Sequence, residues 1–325
     1  MPDPDVKLPE AFVARLCEIF PEETCRTIVD SYERPSVTAF RINTLLAQTQ
    51  PVLDELTVLG LHVHAVPWYA EAFWVEHDQR EKLLASRPYQ LHHIYVQGLS
   101  SMVPPLVLDP RPGERVLDLT AAPGSKTLQI ACLMGDLGEI AAVEYVRSRF
   151  FRLRDNLSAQ GAGFVRTFLK NGEHVWRNRP EYFDRVLLDA PCSSEGRFDL
   201  NDPESLAYWS PKKIKEMAGK QRRLLFSAVQ SLRPGGVLVY STCTFAPEEN
   251  EVLIDSMLQK FGDALRVVPT GLDLPNLCEP LTEWKRKTLR PDLRHARRIL
   301  PDGIMEGFFV CKIEKIRSTL DAGKV

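Results

Sequence analysis

The sequence has no apolar run approaching the ~18 residues that a membrane span requires, and no basic-then-apolar segment opens it. The expectation is a chain without membrane contact that stays where it is made, in the cytoplasm. An excess of one charge is also missing: 41 Lys and Arg face 43 Asp and Glu, a formal net charge of −2. That excludes a diffuse polycation coating nucleic acid, while leaving room for a local basic face. Cysteine is sparse. The seven, at 17, 25, 132, 192, 243, 278 and 311, form no Cys-x-x-Cys pair and do not cluster with His. No metal site is expected from such spacing. In a long chain without an export signal no disulfide framework is expected either, so the thiols should be free.

What is present is an ordinary globular composition, 44% apolar and 26% charged over 325 residues, long enough for two domains at ~150 residues each. Residues 1–35 read as helical, with Phe12, Leu16, Ile19 and Phe20 near helical spacing. Short β-like runs follow at 37–43, 61–67 and 72–75, with a helix between the first two, suggesting a small α+β module. Beyond Asp109-Pro110-Arg111-Pro112-Gly113 the pattern changes to strand–helix alternation. Strands are expected at 115–119, 139–143, 164–169, 184–188 and 237–240, then at 265–268 and 307–313, with helices at 125–134 and 221–232. Alternation of this kind implies a largely parallel, doubly wound sheet. The expected division is 1–96, 97–316 and a short tail, 317–325.

Two features of the second region suggest chemistry. Ala121-Ala122-Pro123-Gly124-Ser125-Lys126-Thr127 marks the turn from its first strand into a helix. Small residues there let the backbone approach a ligand, and a helix N-terminus favours anionic groups. It is neither G-x-G-x-x-G nor a P-loop, because Leu119 stands where a P-loop has its first Gly. Glu144, twenty residues after Gly124, ends the second strand, where an acid grips a ribose diol in nucleoside-binding βαβ units. An adenosine-type cofactor is one reading; a tight turn beside a surface Glu is the other. The second feature is a pair of thiols. Cys192 follows Asp189-Ala190-Pro191 at the end of the fourth strand, and Cys243 follows Tyr240-Ser241-Thr242 at the end of the fifth. Open α/β sheets bind ligands outside the carboxyl ends of their strands. The first, fourth and fifth strands are neighbours in the order common among methyltransferases, and one crevice would then hold the turn, Asp189 and both thiols. The other five cysteines read as small buried hydrophobes.

These segments carry a resemblance. Asp-Leu-Thr-Ala-Ala-Pro-Gly-Ser-Lys-Thr (118–127), Asp-Ala-Pro-Cys-Ser (189–193) and Tyr-Ser-Thr-Cys-Thr (240–244), in that order, resemble the RNA cytosine-5 methyltransferases of the NOL1/NOP2/Sun and bacterial ribosomal RNA group. Arg41-Ile42-Asn43-Thr44 is similar to that family's N-terminal signature and Gly307-Phe308-Phe309 to its final strand. The resemblance implies a Rossmann-like α/β methyltransferase sheet with a small N-terminal α+β domain. It places S-adenosylmethionine among Ala121 to Thr127, Glu144, Asn171 and Asp189. It makes Cys243 the nucleophile, Cys192 the second thiol, and Asp189 and Lys126 their helpers, Lys126 by lowering a thiol pKa or holding the nucleotide. The family usually has Asp where Asn171 stands. The partner implied is RNA, ribosomal first, with transfer RNA as the alternative, and the protein is expected to be monomeric. Seven Lys or Arg against one acid between Trp284 and Arg298, and Lys212, Lys213 and Lys215, are the expected phosphate-contacting groove. Tyr208 and Trp209 are open to stacking or packing.

Overall fold

The computed structural model describes residues 7–320. The first six residues of the expected N-terminal domain and 321–325 of the expected tail lie outside the described residues. Two helices open the structure, α1 (Glu10–Ile19) and α2 (Glu22–Ser31). Phe12, Leu16 and Ile19 bury one face of α1, as their spacing requires. Contrary to the expectation of separate thiols, Cys17 and Cys25 are joined in a disulfide, their Cα atoms 5.5 Å apart. The break at Phe20-Pro21 folds α2 against α1, bringing together residues that spacing alone does not pair. Cys17 is on the surface, not in a core.

An antiparallel sheet follows, in the order β2-β3-β1-β4, from β1 (Thr38–Ile42), β2 (His64–Ala65), β3 (Ala72–Val75) and β4 (Ile94–Val96). Its helices are α3 (Thr49–Val58) and the short α4 (Arg80–Ala85) and α5 (Arg87–Gln90). The strand expected over 61–67 shrinks to two exposed edge residues. Leu61 turns inward to the core, and Pro67 has no N–H to continue the ladder. On β1, Arg41 is fully buried and reaches across to the next domain, donating to Gln97 Oε1 at 3.0 Å and to the Ser125 carbonyl at 3.3 Å.

After α6 (Leu99–Leu108), the main sheet begins with β5 (Arg115–Asp118), α7 (Ser125–Met134), β6 (Glu139–Glu144), α8 (Arg147–Ala159), β7 (Arg166–Leu169) and β8 (Phe183–Asp189). It continues with α9 (Pro211–Ser231), β9 (Leu232–Thr242), α10 (Glu251–Phe261), β10 (Leu265–Val268) and β11 (Leu277–Cys278). A small hairpin, β12 (Glu283–Trp284) and β13 (Lys287–Thr288), precedes β14 (Arg297–Ile299) and β15 (Phe308–Lys315). The order is β11-β14-β15-β9-β8-β5-β6-β7, with β10 also on β15. Strands β5, β8 and β9 are neighbours and parallel, as the sequence led one to expect. The sheet is less parallel than expected, because β15 inserts antiparallel beside β9 and carries β10 and β14 with it.

Helices cover both faces. Val186 and Leu188 of β8 face the α9 and α10 side and Leu187 faces α6 and α7, all three fully buried. Each such side chain stabilises the sheet by ~1.5–3 kcal/mol. Helix α9 starts ten residues before the expected 221, because Ser210 caps it by accepting from the Lys213 N–H and Pro211 occupies its first turn. Among the described residues no helix is long and apolar enough to cross a membrane.

Candidate active site

The turn after β5 is fixed from three sides. The Leu119 N–H donates to the Leu187 carbonyl, the Ala121 N–H to Val143, and Thr120 Oγ1 to the Asp189 carbonyl at 2.8 Å. Gly124 has φ +111°, and a Cβ there would stand 3.1 Å from Leu153 Cδ1, so the turn needs glycine. Thr127 donates to Asp118 Oδ2 at 2.6 Å, and burial pushes the Asp118 carboxyl up to about 6. Gly124 and Thr127 shape the turn without lining the adjacent cavities, whereas Ala121, Ala122, Pro123, Ser125 and Lys126 do line them.

Two cavities meet beyond the strand ends. One, of about 540 Å³, is lined by Ala122, Glu144, Asn171, Asp189, Cys192 and Cys243. The other, of about 320 Å³, runs past Gln97, Ser101, Lys126 and Phe308 to Asp189 and Cys243. Glu144 is buried; one oxygen accepts from the Val146 N–H at 2.7 Å, while the other lies 3.8 Å from Arg149, beyond hydrogen-bond reach. That free acceptor, at the end of β6, suits a diol. Asn171 turns its carboxamide oxygen back to the Glu173 N–H at 3.0 Å, capping a short helix.

Lys126 is not the solvated side chain its position at a helix start suggests. It is buried, and its Nζ contacts Asp189 Oδ2 and Ser101 Oγ, both at 2.7 Å. Ser241 donates to the other Asp189 oxygen at 2.8 Å. Its cation therefore serves the carboxylate.

The thiols of Cys192 and Cys243 are 3.3 Å apart. The contact splits them: Cys243 is lowered, first by its bond from Cys192 and then by the charge of Arg197, whereas Cys192 is raised by the same bond and by burial. Of the two thiols, Cys243 is the one whose surroundings favour ionisation. The two loops that carry them are fastened together. Ser193 Oγ and Thr244 Oγ1 are 2.7 Å apart, the Gly196 N–H donates to the Cys243 carbonyl at 2.9 Å, and Glu249 accepts from Ser193 and Gln221. Burial pushes the Glu249 carboxyl up to about 8 and raises Glu195, which accepts from Thr244, Trp209 and the Phe245 N–H. Sequence reasoning missed Glu195, Gln221 and Glu249, as well as Arg197. In the acidic segment Pro247-Glu248-Glu249-Asn250-Glu251 the last three residues are fully buried.

The basic segment is not the free groove expected. Arg298 is 1% exposed and pairs bidentately with Glu251, its Nε and NH2 donating at 2.7 and 2.6 Å. Lys287 is held by buried Asp255, Arg290 by Asp292, Lys285 by Glu248 and Arg297 by Glu279. Five of the seven cations thus meet acids, of which Asp292 lies within the run, while Arg286 and Arg294 are exposed with no ion pair among the described residues. Of the second cluster, Lys212 and Lys215 are exposed, while Lys213 pairs with Glu216. Trp209 packs on Phe12, and Tyr208 is 84% exposed.

A parallel sheet in this order, closed by an antiparallel β15, with a nucleoside-sized crevice at its carboxyl edge, defines an S-adenosylmethionine-dependent methyltransferase fold. The chain belongs to the 16S rRNA methyltransferase RsmB/F family, whose model matches residues 105–314, and residues 8–99 match the N-terminal domain of the 16S rRNA methyltransferase RsmF. It is 36% identical over 317 residues to the ribosomal RNA small subunit methyltransferase F of Serratia proteamaculans and 37% over 318 to that of Salmonella paratyphi B. These alignments cover 96% of this chain and 64% of each relative's length. A methyltransferase homolog protein from Pyrococcus horikoshii superimposes with a TM-score of 0.83 at 35% identity, covering 95% of this chain and 96% of the other. NSun6 from the same organism, solved with SFG, shares the fold at a TM-score of 0.82 and 21% identity, over 96% of this chain and all of the other.

Proposed function

We propose that this chain methylates C5 of a cytosine in ribosomal RNA, using S-adenosylmethionine, through a covalent bond between Cys243 and C6. The observation that carries the reading is the 3.3 Å thiol pair at the carboxyl edge of β8 and β9, beside Asp189. The names of the small subunit methyltransferase F relatives support ribosomal RNA as the substrate. The crevice suits the cofactor: Glu144 keeps an oxygen for the ribose, Asn171 lines the adenine side, and Ala121 to Lys126 offer small residues and backbone to the remainder. When bound, the cofactor supplies an electrophilic methyl group.

The chain's own residues do the rest. C5 of cytosine is a weak nucleophile, and adding the Cys243 thiolate to C6 breaks the conjugation and makes C5 enamine-like. Asp189, placed by Lys126 and Ser241, faces the same cavity as Cys243 and is the carboxyl at hand to pass a proton to N3 as the thiolate adds, neutralising the electron pair pushed onto the ring, and to take that proton back after transfer. After transfer, a base takes the C5 proton, the C–H pair forms the C5=C6 double bond, and the C6–S pair returns to the Cys243 sulfur. Cys192, its own proton given up to solvent while Cys243 is bound to C6, is the ionisable group at hand to act as that base. The base must leave its stack to reach the thiol, so single-stranded or flippable RNA is the substrate form. Bisulfite sequencing of ribosomal RNA from cells with and without the protein tests the proposal. One cytosine should lose its protection, and an unchanged map would refute ribosomal RNA as the substrate.

A further inference from the structure

We propose that Arg197 is a positioning residue of this site, supplying the positive field that keeps the sulfur of Cys243 anionic while Glu306 tethers it loosely. The inference rests on the reading of Cys243 as the nucleophile. Arg197 ends a single 3-10 turn, Glu195–Arg197, whose middle residue is wedged between two strands. The Gly196 N–H donates to the Cys243 carbonyl at 2.9 Å, and its carbonyl accepts from the Gly307 N–H at 3.1 Å. A Cβ on Gly196 would lie 2.1 Å from the Gly307 carbonyl oxygen, so this backbone has no room to turn elsewhere. From that anchor the Arg197 side chain lines both cavities that Cys243 lines.

The charges facing Cys243 decide the rest. Cys192 comes from the loop after β8, Asp189 from the end of β8, Asp118 from the end of β5, Lys126 from α7 and Glu306 from the loop before β15, with Glu249 behind Cys192. Three cations line the smaller cavity, Lys126, Arg149 and Arg197; the larger, which Asp189 and Cys243 also line, adds Lys220 and Arg223, the latter held by Glu173 at 2.8 Å. Lys126 is neutralised by Asp189 at 2.7 Å, and Arg149 donates to the Ala122 carbonyl at 2.7 Å beside Glu144. Arg197 has only Glu306, 3.5 Å from its Nε, and both side chains are open to solvent, at 60% and 37%. Among the described residues it is the cation of the smaller cavity without a short bond. Its charge lowers Cys243, and the anionic groups around it raise Arg197 in turn.

The first measurement needs neither RNA nor cofactor. The rate of iodoacetamide alkylation of Cys243 in the full chain, read by mass spectrometry of its peptide, is followed against pH. Arg197→Gln should move the midpoint up by about one pH unit and slow alkylation at neutral pH roughly tenfold, since reactivity follows the thiolate fraction. Arg197→Lys should keep most of the wild-type profile, and Glu306→Gln should move the midpoint the other way. An unmoved midpoint in Arg197→Gln overturns the proposal, and a fall in RNA affinity alongside it would make Arg197 a phosphate contact instead. Failure of the underlying reading shows separately: the midpoint would move as described, yet wild-type protein would form no adduct with RNA containing 5-fluorocytosine.

Discussion

The sulfur atoms of Cys192 and Cys243 lie 3.3 Å apart although 51 residues separate them in the chain. Parallel pairing of β8 with β9 sets Asp189 opposite Ser241, so Cys192 and Cys243 follow that pair by three and two residues on the same edge. The shared hydrogen bond makes the two thiols unequal, and the proposed mechanism gives them different roles.

Cys243→Ala should abolish methylation and form no RNA adduct. Cys192→Ala should attack and transfer methyl but stall before release, leaving a conjugate that survives denaturing electrophoresis. A conjugate formed by Cys243→Ala would reverse the assignment, and two merely destabilised proteins would remove it.

Asn171→Asp places a second acceptor oxygen at the end of β7, where the present carboxamide spends its oxygen on the Glu173 N–H. Cofactor affinity should rise several-fold by calorimetry, on the order of 1 kcal/mol for a hydrogen bond to a charged group. Equal affinities would detach Asn171 from the adenine side.

Glu249 links stability to pH. Burial raises its carboxyl in the fold from 4.5 to about 8. Between those values the unfolded chain loses a proton that the fold retains, so this contribution is whole below pH 4.5 and is lost as pH rises to about 8. Urea unfolding of Glu249→Gln should show a flatter decline over that window, the difference from wild type being on the order of a few kcal/mol across it. Parallel curves for the two proteins would contradict the raised value.

Arg298 is a structural cation. Removing it as Arg298→Met leaves Glu251 charged, buried and unpaired, at a cost of ~3–5 kcal/mol in urea unfolding. Replacing Lys285, Lys287 and Arg290 together by Ala should likewise lower stability and leave the salt dependence of RNA binding nearly unchanged. A reduced salt slope with unaltered stability would restore the groove first expected there.

Much of the sheet was legible because its strands are short apolar runs closed by Gly or Pro turns. Ser125–Met134 matches the expected helix, and β5 to β9 fall on or within a few residues of their expected positions. The thiol crevice was legible because residues at the carboxyl ends of adjacent strands must meet. The failures have physical causes. Helix α10 begins in a string of acids that composition assigns to solvent, but Arg298, Ser193 and Thr244 take those carboxylates and polar groups into the core. The basic segment looked free because its partners, Glu248, Glu251 and Asp255, lie some thirty to fifty residues earlier in the chain. Arg197 gave no signal, since a lone Arg after a loop glycine is ordinary until Gly307 pins its backbone.

The first two helices pack Phe12 edge-on against Phe198 and Trp209, and Tyr32 donates to the Glu195 carbonyl at 2.7 Å while its own carbonyl receives the Leu200 N–H. They thus clasp the same loop that presents Cys192, some 160 residues further on. In folding terms, the reactive edge cannot be finished until a segment made some 160 residues earlier returns to it. A protein made without residues 7–31 would keep every group named in the chemistry and lose the wall that holds half of them in place.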